Sequence, residues 1–449
     1  MIKRHFILCC IVTISLVSVP NNSLASTDVE LSMVWENVMG GVNADGAFDI
    51  IPSPDGGFLL VGATASFGAG DTDGWIVKID NSGTQQWNRT YGGENYDSWS
   101  EGFATSDGYI VAGISTSLND TTTGDGWAAK IDFDGHEIWN HTYGWKGRDE
   151  FFTPVPGIDG GYVFGGVTKE NDAHTINYWI VKTDTTGNLL WNKTLGQGSP
   201  FSMVSAEDGY ALFGVDYGVL DGADGYLVKT DTEGEIVWTE YFDVNNYDIC
   251  ENIIQTSDKG FLIGCNTDTS SVNKDALITK LDRTGAEEWN LTLGNQFNDF
   301  PNSLLELSDG GYLISIHEKS SSLGSSGDNL FVKLSSTGSI EWKQTIGYSI
   351  NTEFAWDMIE VSDGIVVCGI IKSKGAGDWD LWVFKLQETV SSQNVELSDP
   401  SNGLQSTKTN KSPLGSSFMI SIILIPILTR IKIHKVSYYN KKRLAFHES

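Results

Sequence analysis

The sequence predicts an all-β chain, a seven-bladed β-propeller of four-stranded blades, and three observations lead there. A tryptophan recurs at Trp35, Trp87, Trp139, Trp191, Trp238, Trp289 and Trp342, and an interval of roughly 50 residues suits one four-stranded blade. Two further series keep step with it: an aspartate-led turn at Asp55, Asp107, Asp159, Asp208, Asp258, Asp309 and Asp363, and a lysine at Lys78, Lys130, Lys182, Lys229, Lys280, Lys333 and Lys385. The third observation is at the ends, where the first unit starts with a lone tryptophan strand (SMVWENV) and the last stops at LWVFKL without one. The N-terminal strand therefore completes the last blade, a closure that removes the open edge a linear array would leave.

In chain order, Lys3 and Arg4 precede an apolar run to Val19, and Ser23-Leu24-Ala25 offers a small-residue cleavage site. Residues 1–25 read as a secretory signal peptide. The propeller is expected over 33–387. Its first unit resolves into FDIIPS, FLLVGAT, GWIVKID and QQWNRTY, short runs rich in β-branched and aromatic residues and punctuated by Gly and Asp turns. Residues 388–412, rich in Ser, Asn and Thr, read as a flexible stalk. Residues 413–429 carry no charge, and Arg430, Lys432, Lys435, Lys441, Lys442 and Arg443 follow. That pattern predicts a C-terminal transmembrane helix with a basic cytoplasmic tail over 430–449 and the propeller outside, at the cell surface.

The chain has a net charge of −29. Because its basic residues concentrate at the two ends, the body is more acidic still. Such a surface repels nucleic acid and anionic lipid, so neither is an expected partner beyond the membrane helix itself. Cys9 and Cys10 fall in the signal; Cys250 and Cys265 fall on the arms of one predicted hairpin, a disulfide candidate in an oxidising exterior.

The stretch Lys78-Ile79-Asp80-Asn81-Ser82-Gly83-Thr84-Gln85-Gln86-Trp87 resembles the tryptophan-docking repeat of quinoprotein-type propellers, and the chain is similar to propeller-repeat surface proteins of archaea and bacteria. The resemblance covers nearly all of 33–387. It implies that each outer-strand Trp wedges against the next blade while Asp and Gly hold the preceding turn. It does not extend to pyrroloquinoline quinone, since quinoprotein dehydrogenases have eight blades and an adjacent cysteine pair over the cofactor. Here seven units are counted and the adjacent pair lies in the signal. A sialidase-like arginine trio is likewise not expected, because Arg89 and Arg283 lie on an outer strand and an outer turn.

Counting six residues back from each turn aspartate gives Asp49, Glu101, Thr153, Ser202, Asn252, Ser303 and Asp357, all polar between largely apolar neighbours. In a propeller the first strand of each blade lines the central channel, so these are the candidate channel and ligand residues. If the protein is an enzyme, Asp49, Glu101 and Asp357 are the paired carboxylates for it. Counting ten back gives Asp45, Asp97, Asp149, Asp248, Asp299 and Glu353, with Gly198 in the fourth unit. These oxygen ligands suit Ca²⁺; the competing reading, favoured by their repetition, is that each caps its own blade's backbone.

Asn88, Asn119, Asn140, Asn192, Asn290 and Asn410 stand in N-x-[ST] sequons and are glycosylation candidates on an exported chain. No Ser/His/Asp or metal-spaced His/Cys cluster surrounds His136 or His174, and both read as surface histidines. The lysine series is expected to snorkel or pair with carboxylates. The second-to-third-strand loops differ in every unit and share a face with the entry loops, which makes that face the expected interaction surface. The resulting expectation is a binding or adhesion scaffold for an extracellular protein or glycan, with no cofactor. The alternatives are a surface polysaccharide hydrolase or lyase, and a purely structural envelope component.

Overall fold

The computed structural model describes residues 28–391 apart from 119–122, 146, 170–174, 218–223, 243–248, 271–272, 320–326 and 349–351. The predicted signal peptide, the membrane helix and tail, residues 392–412 of the stalk, and Asp248, His174, Asn119 and Asn410 lie outside the described residues. Among the described residues no helix is long and apolar enough to cross a membrane.

Twenty-eight strands among the described residues, β1–β28 in chain order, form seven four-stranded sheets. The first blade is β2 (Asp45–Pro52), β3 (Phe58–Thr64), β4 (Asp73–Ile79) and β5 (Gln85–Tyr91), paired in that order. The inner strands of blades two to seven are β6 (Asp97–Thr105), β10 (Glu150–Pro156), β14 (Ser199–Ala206), β18 (Ile249–Gln255), β22 (Asp299–Glu306) and β26 (Glu353–Val361). Each inner strand packs on the next, and β26 packs back on β2, so the ring is closed.

The last blade runs β26, β27 (Gly364–Ile371), β28 (Asp380–Ser391), β1 (Asp28–Met39). The N-terminal strand is its outer strand, as the unequal ends imply. β28 extends to Ser391, so residues 388–391, which composition assigns to the stalk, are strand. Local composition carries no information about a pairing partner more than three hundred residues away. The body Leu31–Glu388 is one unit; residues 28–30 and 389–391 belong to a second, in which Thr389 Oγ1 donates to the Glu30 carbonyl at 3.0 Å.

Second and third strands are almost wholly buried, because each sheet has a neighbour on both faces. Apolar clusters accordingly span blade junctions: Ile51, Leu59 and Val61 of blade one meet Trp99, Tyr109 and Val111 of blade two. On the outside, the docking series behaves as the resemblance implies. The turn glycines Gly83, Gly135, Gly187, Gly234, Gly285 and Gly338 lie against Trp35, Trp87, Trp139, Trp191, Trp238 and Trp289 of the preceding blade, and a Cβ on any of them would come within 3.0 Å of the ring. All six have φ between 76° and 88°, so both the space and the backbone demand glycine. The fifth inner turn differs, since Lys259 follows Asp258 and takes a φ of 73°, the one positive value at a non-glycine residue among those described.

The lysine and turn-aspartate series prove to be partners. Lys78, Lys130, Lys229, Lys280, Lys333 and Lys385 reach Asp55, Asp107, Asp208, Asp258, Asp309 and Asp363 at 2.5–2.8 Å, and Lys182 pairs with Asp159. The lysine side chains are 1–11% exposed and the carboxylates 52–80%. An aliphatic stem therefore crosses the sheet interior and its ammonium emerges at the turn of the inner hairpin. Burial works against ionisation of Asp55 and Asp258, yet the lysine bonds outweigh it and hold both down to about 2.

The closing seam has its own chemistry. In blades one to three the Asn after the docking Trp accepts the third-strand indole: Asn88 from Trp75, Asn140 from Trp127 and Asn192 from Trp179. In the last blade Glu36 takes that place. It accepts from Trp382 Nε1 at 2.8 Å, Tyr348 Oη at 2.8 Å and Lys374 Nζ at 2.6 Å. Gln344 of β25 (Ile340–Ile346) exchanges two hydrogen bonds with the Leu31 backbone, at 2.6 and 2.8 Å.

Three outcomes follow for stability. Asp208→Asn, which strands the 4%-exposed Lys229 ammonium, is expected to cost about 1–3 kcal/mol in urea unfolding, and Lys229→Met less. With folded pKa values below the unfolded one, Asp55 and Asp258 contribute stability that is present above about pH 4 and lost as pH falls towards about 2; acid titration of wild type against Asp258→Asn reads this. Glu36→Ala leaves the fully buried Trp382 indole without its acceptor and is expected to cost about 2–3 kcal/mol, measured by the same unfolding curves.

Candidate functional site

The inner strands share a local irregularity that builds the channel wall. Each first-to-second strand pairing slips by one residue, between Ala47 and Asp49, Trp99 and Glu101, Phe151 and Thr153, Pro200 and Ser202, Cys250 and Asn252, Pro301 and Ser303, and Ala355 and Asp357. Seven β-bulges at one register re-aim the chain just before each polar position.

All seven six-back residues, Asp49, Glu101, Thr153, Ser202, Asn252, Ser303 and Asp357, line one cavity of about 230 Å³. The extra residues of five bulges line it too: Phe48, Phe201, Glu251, Asn302 and Trp356. Sequence reasoning missed these because it assumed an uninterrupted strand; the clue was that each adjoins a channel position where strict alternation would turn it away.

Several channel residues stitch one inner strand to the next. Asp49 accepts from Gly102 N at 2.7 Å, Asn252 Nδ2 donates to the Pro301 carbonyl at 2.9 Å, Ser303 Oγ donates to Asp357 at 3.2 Å, and Asp357 accepts from Ile50 N at 3.3 Å. Asp49 and Asp357 also bond each other, and both are pushed up. For Asp49 burial is the first cause and the neighbouring Asp357 and Glu101 carboxylates the next; for Asp357 it is burial, partly offset by bonds from Asp49 and backbone amides. Of the two, Asp49 is held the further above the usual carboxylate range. Thr153 is 7% exposed and its Oγ1 has no hydrogen-bond partner among the described residues.

The lining is asymmetric. Asp357, Asp49 and Glu101 stand on consecutive blades, while Thr153, Ser202, Asn252 and Ser303 follow on the other four. Phe48, Trp356 and Phe201 add aromatic surface, and the cavity lining contains no Lys, Arg or His.

The described members of the ten-back series sit elsewhere, bonding the loops and strands at their own blade entries. Asp45 accepts from Gly41 N at 2.6 Å and bonds Thr64 and Ser66. Asp97 accepts from Gly93 N, Ser115 Oγ and Ser117 Oγ, Asp149 from Trp145 N and Lys169 N, Asp299 from Asn295 N, and Glu353 from Tyr348 N. These five are buried, and burial lifts Asp299 to about 7.

Cys250 and Cys265 face each other across β18 and β19 (Phe261–Ser270) and are disulfide-bonded. His136 bonds Asp132 and Arg89 in an outer turn. Arg148 pairs with Glu150, so the three arginines do not converge. Asn88 and Asn290 are exposed and Asn140 and Asn192 half-buried. Most second-to-third-strand loops fall partly outside the described residues.

No protein-family model matches the chain, and no curated protein matches its sequence. Among solved structures, the WD40 propeller domain of Doa1 is 14% identical over 79% of this chain and 96% of that one, with a TM-score of 0.49. BamB from Moraxella catarrhalis is 12% identical over 79% and 100%, at 0.37. BBS1N, solved in complex with ARL6DN, is 11% identical over 80% and 96%, at 0.46. At these scores the matches add nothing to the architecture that the strand pairing establishes.

The raised Asp49 carboxyl has a measurable consequence. A carboxyl raised on folding contributes stability that is present below its unfolded pKa and lost as pH rises through its folded value. Asp49→Asn, which keeps an acceptor for Gly102 N, is therefore expected to raise the thermal midpoint relative to wild type by an amount that grows from pH 4 to pH 8. A difference that is flat or falling with pH contradicts the upward shift of Asp49.

Proposed function

We propose that the chain is an exported, membrane-tethered propeller that binds an extracellular ligand at its central channel and serves as an interaction or adhesion scaffold. One observation carries this reading. The docking Trp, the turn Gly and the Lys–Asp pair repeat in identity, as their structural roles require, whereas the bulge-presented channel position repeats only in polarity. Asp, Glu, Thr, Ser, Asn, Ser and Asp occupy one geometry, and a purely structural wall has no need of that variety. A rigid ring presenting individual side chains into a cavity is a common form of ligand site.

The apolar N-terminal run, the uncharged 413–429 segment and its basic flank support export and anchoring. The sequons support glycan attachment. The Trp-on-Gly packing supports membership of the tryptophan-docking group. A second reading, a polysaccharide hydrolase or lyase using Asp49, Glu101 and Asp357, draws support from the two adjacent raised carboxyls, a feature of acid–base sites; it expects turnover that Asp49→Asn abolishes.

The binding reading is tested with the full chain on a glycan array and a peptide library, beside Ser202→Trp, which fills the channel from the neutral wall. The expected result is a ligand retained by wild type and lost in the variant at an unchanged thermal midpoint. A ligand indifferent to Ser202→Trp places the binding surface away from the channel.

A further inference from the structure

We infer that the channel cavity is the seat of an organic cation, an ammonium or guanidinium group on a narrow stem, held by Asp49, Asp357 and Glu101. This deepens, and rests on, the reading of the channel as the ligand seat.

Charge is the first argument. Three carboxylates from consecutive blades meet in one cavity with Glu251 also in its wall, and no basic side chain lines it. Burial and the neighbouring carboxylates push Asp49 up, and burial pushes Asp357 up beside it. A cationic ligand supplies compensating positive charge and favours loss of the Asp49 proton.

Independent of the acids, the cavity-lining Thr153 carries a buried hydroxyl oxygen with no hydrogen-bond partner among the described residues. It is an acceptor, or a donor to a second polar atom of the ligand, left over when the stitching bonds between inner strands are complete. Phe48, Trp356 and Phe201 provide ring surface, which attracts a cation by its negative face.

Geometry selects an organic cation over a metal ion. A compact hard ion needs several oxygens converging within a few ångströms. The described residues hold one group of three such side chains with ligand atoms within 4.8 Å of each other, Asp132, Asp134 and His136 on an outer turn, and the channel acids do not form another. Carboxylates spread more widely suit a group whose N–H donors are themselves spread, as in guanidinium. A volume of about 230 Å³ admits such a group with its stem, and the acidic body steers cations inward.

The source of the group is either a free amine or a side chain of a partner peptide, and the test separates them. Isothermal titration of the full chain uses agmatine, cadaverine, a blocked Ala-Arg-Ala peptide and CaCl₂. Saturable one-to-one binding of an amine or the peptide is expected, weakened at least about tenfold by Asp49→Asn and by Asp357→Asn and unchanged by Asp134→Asn, an exposed acid outside the channel. Binding by agmatine or cadaverine but not the peptide identifies a free amine; binding by the peptide identifies a partner's side chain.

Affinity should fall as pH is lowered through the titration of Asp49, which faces Asp357 and Glu101 across the inner strands and shares the cavity with Glu251. Titration in buffers of different ionisation enthalpy should show proton release. A Thr153→Val variant should weaken binding while leaving this proton release in place. Binding of Ca²⁺ alone, no saturable binding of any probe, or binding indifferent to both channel variants overturns the inference. If these probes fail while an array ligand is lost in Ser202→Trp, the channel seat stands and its cationic ligand does not.

Discussion

A blade of this protein has two apolar faces and no means of covering either by itself. Its middle strands are buried from end to end, so every sheet needs a sheet on each side, and only a closed ring satisfies all seven at once. The rest of the structure follows from that requirement. Six of the seven docking tryptophans seal the outer edge of a junction against a glycine too small to hold them off. The inner strands meet around a channel whose width is set by the number of blades.

Closure also explains why the seam is chemically different. At the other junctions a turn joins the third and fourth strands, and an Asn in blades one to three accepts the third-strand indole. At the seam the fourth strand arrives from the far end of the chain, with no turn to fix its register. Glu36 replaces the Asn and gathers Trp382, Tyr348 and Lys374 around one carboxylate, while Gln344 grips the backbone of Leu31. Charge-assisted bonds substitute for the missing covalent connection, and they do so where an error of register would move every side chain to the wrong face.

The channel illustrates how far sequence reading reaches. Counting back from the turn aspartates found one polar cavity-lining residue in every blade, because the turn fixes the phase of the strand and the phase is the same in all blades. It did not find Phe48, Glu251 or Trp356, since a bulge breaks the two-residue alternation on which such counting depends. Nor did it find that Lys78 and Asp55 belong together. Both series were plain in the sequence, but their partnership requires the third strand to lie beside the hairpin turn that precedes it. The buried acids at Asp45, Asp97 and Asp299 were legible as a series, whereas their engagement with loop amides depends on backbone paths that composition does not specify.

The sequence alone determined the class of fold, the number of blades and the manner of closure, because periodicity and the unequal ends are properties of order along the chain. Only the tertiary structure decided which charges are neighbours: that Asp49 and Asp357 bond each other, that seven lysines are clipped to seven turns, and that Thr153 Oγ1 has no hydrogen-bond partner among the described residues. Those facts depend on distances between residues far apart in sequence, and burial, which gives such distances their energetic weight, exists only once the ring has closed.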